Sequence, residues 1–260
     1  MSCIHIPHIR PDESIEQILS ALLTVIYESL TSKSDIKWSF RDDEKNDLFT
    51  ALLFAFTKTT DIYIEAPKHN DNTIAFELND DSISSAIDKI ESHLFKNPDI
   101  NQLKQAVSYL LNELVCNVQQ HSHADTGTIH VSFNKPLNVI DICVADNGIS
   151  IYGSYVNTQK YIEQISNSAE ALAMARKGYS TKNLPNAENR GYGISSNAKM
   201  IVKGLNGTFS ILSDNALFHF TTESEIIGAL PEAIVWNGTI VIARIPIKTP
   251  DSFNIYNYIS

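Results

Sequence analysis

"LLNELVCNVQQHSHADTG", residues 110–127, opens as an amphipathic helix and then carries polar groups that a purely packing helix would not need. With Leu110 at zero and 100° per residue, Val107, Leu110, Leu111, Leu114 and Val118 fall within about 100° of arc, which defines a core-facing stripe. Glu113, Asn117 and His121 fall at about 300°, 340° and 20°. An acid, an amide and an imidazole thus start beside the stripe and walk into it, while Ser108, Asn112 and Gln119 take the opposite side. Polar groups at the edge of a buried face cost free energy unless they are paired. Two readings are open. In one, Glu113 is solvated, Asn117 bonds a loop backbone and His121 sits at a helix end. In the other, the row faces a cleft for a metal–phosphate ligand, with Glu113 as base and Asn117 as an oxygen ligand to Mg²⁺.

The rest of the chain sets bounds on that choice. It has 260 residues, 43% of them apolar, enough for one good-sized core or a core plus a smaller unit. Twenty basic against thirty acidic residues disfavour a general attraction to nucleic acid or to an anionic membrane. The opening "MSCIHIPHIRPDES" lacks the basic-then-apolar order of a signal peptide, and the longest apolar runs, such as "ALLFAF", are too short to span a bilayer. Cys3, Cys116 and Cys143 show no metal or disulfide spacing. A soluble cytoplasmic protein is the expectation.

Outward from the row, the pattern predicts helices over 12–31 and around "KNDLFTALLFAFTKT", then strands at "DIYIEAP" and "NTIAFEL". A helix capped by "LNDDS" runs to His93 and is broken by "KNPD"; the long helix follows from about Ile100 to His121. Strands are expected at "GTIHVSF", "NVIDICVADNG", "GTFSILSD", "ALFHFTT" and "GTIVIARIP". Between them lie a helix at "SNSAEALAMARK", a polar loop, and a helix at "GYGISSNAKMIVKGL" that Gly204 terminates. A boundary is placed near residues 80–85.

Two further stretches carry chemistry. In "DICVADNGIS" (141–150), Asn-Gly alone is an ordinary turn signal. An acid ending an apolar strand can also accept a hydrogen bond from an exocyclic amine, with Gly148 letting the backbone approach a flat base. In "GYSTKNLPNAENRGYGISSNAKMI" (178–201), Gly191 and Gly193 put free backbone N–H groups at a helix start. Arg176, Lys177, Lys182, Arg190, Lys199 and Lys203 oppose only Glu188 between residues 171 and 205, a local charge reversal that suits an anionic ligand. Taken singly, each is a glycine-bearing loop or turn with weak specificity.

Their order is specific. Glu113-Leu-Val-Cys-Asn117, then Asp146-Asn-Gly148-Ile-Ser150, "GYSTK", Gly191-Tyr-Gly193-Ile and "NGTIVIARIP" together resemble the nucleotide-binding fold shared by gyrase, the Hsp90 chaperone, histidine kinases and MutL. Ser150 departs from that pattern, standing where the family has its second glycine. The resemblance implies an α+β, two-layer sandwich of the Bergerat type: a mixed, mostly antiparallel sheet with helices on one face, over residues 85–247. Residues 1–84 would be a small N-terminal α/β extension, either a half-domain of STAS type or a layer packing on the sheet, and 248–260 a tail. It also implies ATP and Mg²⁺ as ligands. Asp146 would bind the adenine amine with Gly148 and Thr239 in support, and Asn117 would hold Mg²⁺, with Glu113 reaching it through water. Ser180, Thr181, Lys182, Arg190, Gly191, Tyr192, Gly193 and Ile194 would bind the nucleotide, with the Gly191 and Gly193 backbone N–H groups and Lys182 neutralising charge on the transferred phosphoryl group. Glu113 and His121 would be catalytic; the Glu-x-x-x-Asn-x-x-x-His run is usual in the family's kinases that phosphorylate serine in anti-anti-sigma partners. A regulatory kinase or ATPase of the anti-sigma type, with a STAS-type or sigma-factor-like protein partner, is the first expectation; a homodimer is compatible with it. A non-catalytic nucleotide switch, and a histidine kinase accepting phosphate at His93, are the alternatives.

Overall fold

The computed structural model describes residues 73–134, 138–181, 192–229 and 235–258. The elements expected before residue 72, with Lys182, Arg190 and Gly191, lie outside the described residues. From the edge inward, β1 (Thr73–Glu77) leads through α1 (Asp80–Leu94) and a 3₁₀ segment (Pro98–Leu103) into α2 (Lys104–His121). A hairpin, β2 (Thr126–Asn134) and β3 (Val139–Asp146), comes next. Then come α3 (Ser150–Thr158), α4 (Ser168–Arg176) and α5 (Tyr192–Lys199), whose last turn relaxes into a π-helix (Met200–Gly204). Strands β4 (Thr208–Asp214), β5 (Ala216–Phe220) and β6 (Glu225–Ala229) form a meander, and β7 (Trp236–Pro246) follows them in the chain. The order across the sheet is β1-β2-β3-β7-β4-β5-β6.

Local chemistry explains where several elements begin. The Asn79 side chain accepts from the Ser82 N–H at 2.9 Å, so the predicted cap of α1 is real, and Asp80 and Asp81 complement its positive end. Asn97 and Pro98 open the 3₁₀ segment, so the long helix begins later than Ile100 and in two pieces. Asn167 caps α4 through the Glu170 N–H. Gly204 does close its helix, though not as a left-handed cap. The chain turns through Asn206 (φ 58°), and a side chain at Gly204 would strike the Phe253 and Tyr258 rings at 2.9–3.0 Å. That glycine is a packing requirement of the C-terminal residues.

Two elements were not read from the sequence: α3, which is short and carries Gly153, and β6, which is five residues long with Gly228 inside it. Among the described residues the expectation of a mixed sheet is also corrected, because all six of their strand pairs are antiparallel. The physical reason lies in the crossover from β3 to β4 through three helices. It brings two strands back in the same direction but leaves a one-strand gap, and β7 fills it antiparallel to both. Residue 84, where the extension was expected to end, falls within α1, and β1 already pairs with β2.

Alternation sorts the sheet into two faces. Ile129 and Val131 of β2, Ile140, Ile142 and Val144 of β3, Phe209 and Ile211 of β4, and Val241, Ala243 and Ile245 of β7 share one face. They form one core with Val107, Leu110, Leu111, Leu114 and Val118, the stripe expected on α2, joined by Ala106 and Val115. Residues Phe253, Ile255 and Tyr258 close that core from the C-terminal side. The opposite face presents Cys143, Leu212, Leu217 and Ile240, which belong to no part of this helix-side core. Among the described residues, no helix is long and apolar enough to cross a membrane.

Candidate functional site: a cleft between the long helix and the sheet

The row on α2 lines a cavity of about 370 Å³, within the range of small-molecule sites. Glu113, Asn117 and His121 all reach it, and Tyr109, one turn before Glu113, extends the row. The sheet supplies Val144, Asp146, Ile211, Thr239 and Val241; α3 and the segment after α4 supply Ser150, Ile151, Ser154, Tyr179, Ser180 and Thr181. Gly193 and Ile194 close it from α5.

The helix C-terminus and the Asp-Asn-Gly turn are locked together. The Ile149 N–H donates to the Ser122 carbonyl at 2.7 Å. A Cβ on Gly148 would lie 1.9 Å from that same carbonyl oxygen, so only glycine lets the turn approach the helix. The Gly148 N–H donates to Asp146 Oδ1 at 2.9 Å. Asp146 is buried, and desolvation pushes its pKa up from 3.8 to about 6, while the Gly148 and Thr239 N–H groups pull it partly back. It is therefore ionised at neutral pH with little solvent around it, a state that favours an external donor. Gly238, at φ +119°, faces the Asp146 carbonyl at 2.2 Å from where a Cβ would stand, which explains glycine before Thr239. Ser213 ties this corner together. Its hydroxyl donates to the Gly238 carbonyl at 3.0 Å, accepts from the Ile151 N–H at 2.8 Å, and lies 3.0 Å from the Thr239 hydroxyl.

At the other end of the row, Gly193 sits against the helix. A Cβ there would be 3.3 Å from Glu113 Oε2 and 3.5 Å from Asn117 Nδ2. The glycine segment is thereby brought onto the acid–amide pair, as the sequence order had suggested. The Thr181 hydroxyl lies 3.1 Å from His121 Nδ1 and 2.9 Å from the Ser154 hydroxyl, linking the "STK" segment to α2 and α3. Tyr155 donates its hydroxyl hydrogen to the Tyr179 carbonyl, and burial raises its pKa. The Tyr109 phenol is pushed up to about 12, by burial first and by the Glu113 charge second, so it stays a neutral donor.

Ser150 occupies φ 60°, the left-handed conformation that glycine adopts freely. The backbone thus takes a shape that glycine would adopt without strain, and the Ser150 hydroxyl accepts from the Gly153 N–H at 3.1 Å. The basic cluster divides differently from expectation. Arg176 pairs with Glu225 and lies over Phe218 and Phe220, Lys203 lies over Phe220, and neither they nor Lys177 nor Lys199 lines the cavity. Lys182, Arg190 and Gly191 are outside the described residues, as is the side chain of Tyr192. His93 lies in the last turn of α1 and does not line the cavity.

Sequence reasoning missed Tyr109, Ser154, Tyr155 and Tyr179. Only Tyr109 carried a usable signal, its i−4 spacing from Glu113. Among the described residues no group of three or more His, Cys, Asp or Glu is placed to hold a metal. The chain matches no protein-family model and no curated protein.

Proposed function

We propose that this cleft binds Mg-ATP in a Bergerat-type nucleotide site, and that the protein is a regulatory kinase or ATPase. The observation that carries the reading is convergence. Residues from five separated segments, Glu113–Asn117, Asp146, Thr181, Gly193 and Thr239, meet in one cavity between a helix and a sheet. From Glu113 to His121 is eight residues, or about 12 Å along the helix axis, so the cavity has two chemically different ends. The end beside Ser122 is lined by Val144, Ile211 and Val241 with the one buried carboxylate, which suits a flat base carrying an amine. The end at Gly193 offers backbone, an amide and an acid, which suits phosphate oxygens and a cation.

The donor set fits magnesium. Mg²⁺ takes most of its ligands from water and substrate phosphates and needs only one or two from protein, so Asn117 Oδ1, with Glu113 through water, suffices. When bound, the ion neutralises charge on the phosphates. The chain's own residues do the rest: Asp146 orients the base, Glu113 orients or deprotonates the attacking water or hydroxyl, and Gly193 leaves room for the phosphates. His121, held by the Thr181 hydroxyl, fixes the segment that leads to Lys182. The acceptor, read as a serine on a STAS-type or sigma-factor-like partner, belongs to the same proposal.

Calorimetric titration with Mg-ATP and a γ-phosphate release assay on Glu113→Gln test this reading. Nucleotide affinity is expected to stay within about threefold of wild type. Turnover is expected to fall by about 10²-fold or more, the usual weight of a general base. Wild type that neither binds nor turns over ATP removes the reading. Wild type that binds tightly without any turnover reduces it to a nucleotide switch.

A further inference from the structure

Asp146 of β3, Thr239 of β7 and Ser213 of β4 stand in one row across three adjacent strands, because Asp146 pairs with Thr239 and Thr239 with Ser213. Alternation points all three side chains to the helix side of the sheet. Asp146 and Thr239 line the cavity; Ser213 does not, and is 2% exposed. A hydroxyl has one hydrogen to give and two lone pairs to accept with. Three neighbours use up those of Ser213. The Ile151 N–H, at 2.8 Å, can only donate and takes one lone pair. The Gly238 carbonyl, at 3.0 Å, can only accept and takes the hydrogen. One lone pair remains for the Thr239 hydroxyl at 3.0 Å, so Thr239 is the donor of that bond. The reverse assignment would set oxygen lone pairs against the buried Gly238 carbonyl, where an unmade hydrogen bond costs most.

Among the described residues the Thr239 hydroxyl has no other partner, so its only hydrogen is committed to Ser213 and it offers the cavity lone pairs alone. The ionised Asp146 carboxylate beside it is likewise an acceptor without a hydrogen to give. We propose that Ser213 is a positioning residue that sets the base specificity of the cleft: by holding Thr239 as an acceptor, it selects a ring edge carrying a primary amine and rejects one carrying a carbonyl oxygen. This rests on the nucleotide reading of the cleft and adds to it a residue outside the cavity lining. A primary amine has two hydrogens, one for Asp146 and one for Thr239. Acceptors on the two hydrogens of one planar amino group lie about 5 Å apart, for bonds of about 2.9 Å. Directly opposed residues on antiparallel strands have Cβ atoms about 4.5–5.5 Å apart, the same spread. A carbonyl in that place meets acceptors on both sides and no donor.

The test uses the full chain. Calorimetric titration at pH 7.5 with Mg²⁺ compares ATP with inosine triphosphate, which carries a carbonyl in place of the amine. Wild type is expected to prefer ATP by about tenfold or more. In Ser213→Ala the Thr239 hydroxyl is free to turn and donate, so that preference is expected to fall by about fivefold or more. A merely structural loss would weaken both ligands alike and leave their ratio unchanged. In a Thr239→Val background, where no hydroxyl hydrogen remains to redirect, adding Ser213→Ala is expected to leave the ratio within about twofold. An unchanged ratio in Ser213→Ala, or the same fall in the Thr239→Val background, overturns the proposal while nucleotide binding stands. Wild type that binds neither triphosphate overturns the nucleotide reading and this proposal together. Circular dichroism checks that Ser213→Ala is folded. Thr239→Val alone probes the same acceptor without touching Ser213: ATP is expected to weaken by about fivefold, with inosine triphosphate within about twofold of wild type. Undiminished ATP affinity in Thr239→Val also overturns the proposal.

Discussion

Replacing Asp146 by asparagine separates two effects of opposite sign. The carboxyl is 6% exposed, and its pKa is raised from 3.8 to about 6, with burial the largest cause. A raised acid stabilises the fold fully below pH 3.8, and that contribution is lost as the pH climbs through about 6. The gap of about two units, at about 1.4 kcal/mol each, amounts to about 3 kcal/mol against the fold at pH 7.5. Asp146→Asn carries no charge and keeps an oxygen for the Gly148 N–H. It is expected to be more stable than wild type by up to about 3 kcal/mol at pH 7.5, with the difference shrinking towards zero near pH 4. Ligand binding moves the other way. Losing a hydrogen bond to a charged acceptor costs about 1.5–3 kcal/mol, so the dissociation constant of Mg-ATP rises by about 10- to 150-fold. In the wild type, the same affinity weakens as the pH falls through about 6, where Asp146 protonates. Thermal unfolding at several pH values, with calorimetric titration of both proteins, reads both effects. Equal affinity in the variant, or a stability difference that ignores pH, refutes the role assigned to this carboxylate.

Two other substitutions probe the walls of the site and the core. Gly148→Ala drives a methyl into the Ser122 carbonyl at 1.9 Å, where backbone must move. A loss of about 3 kcal/mol or more in urea denaturation is expected, together with loss of nucleotide binding, and a wild-type midpoint would contradict the packing described. Asn197 on α5 is fully buried, and neither of its amide atoms has a hydrogen-bond partner among the described residues. The isosteric Asn197→Leu is expected to raise stability by about 1–2 kcal/mol, measured by calorimetric unfolding; a decrease would mean that the amide is satisfied after all.

What the sequence reveals and hides here has a physical logic. The α2 row was legible because helical period alone decides which face a residue takes, and Asp146 and Gly148 were legible because a turn after an apolar strand has few residue choices. The strand order was not: nothing local in "GTIVIARIP" states that it inserts between β3 and β4, since that outcome depends on a gap left by a crossover. Short elements escaped for lack of periods to count, as in β6, where Gly228 interrupts five residues. Arg176 misled for another reason. A cation near a glycine-bearing loop looks like a phosphate ligand, but its guanidinium is used against Phe218, Phe220 and Glu225. Gly204 shows the reverse error, a residue located correctly whose cause is the Phe253 and Tyr258 rings rather than its own torsions.

The slot that β7 fills also sets an order on synthesis. As the chain emerges from a ribosome, β1–β3 and β4–β6 can each pair internally, yet β3 and β4 both present an open edge until residues 236–246 arrive. Unpaired edges of apolar strands recruit other strands, so the nascent sheet is most prone to aggregation in the interval before β7 appears. Thr239 and Val241, one wall of the cleft, come with that strand. A product truncated before it has neither a closed sheet nor a finished pocket, so the cleft exists only once translation has passed residue 246.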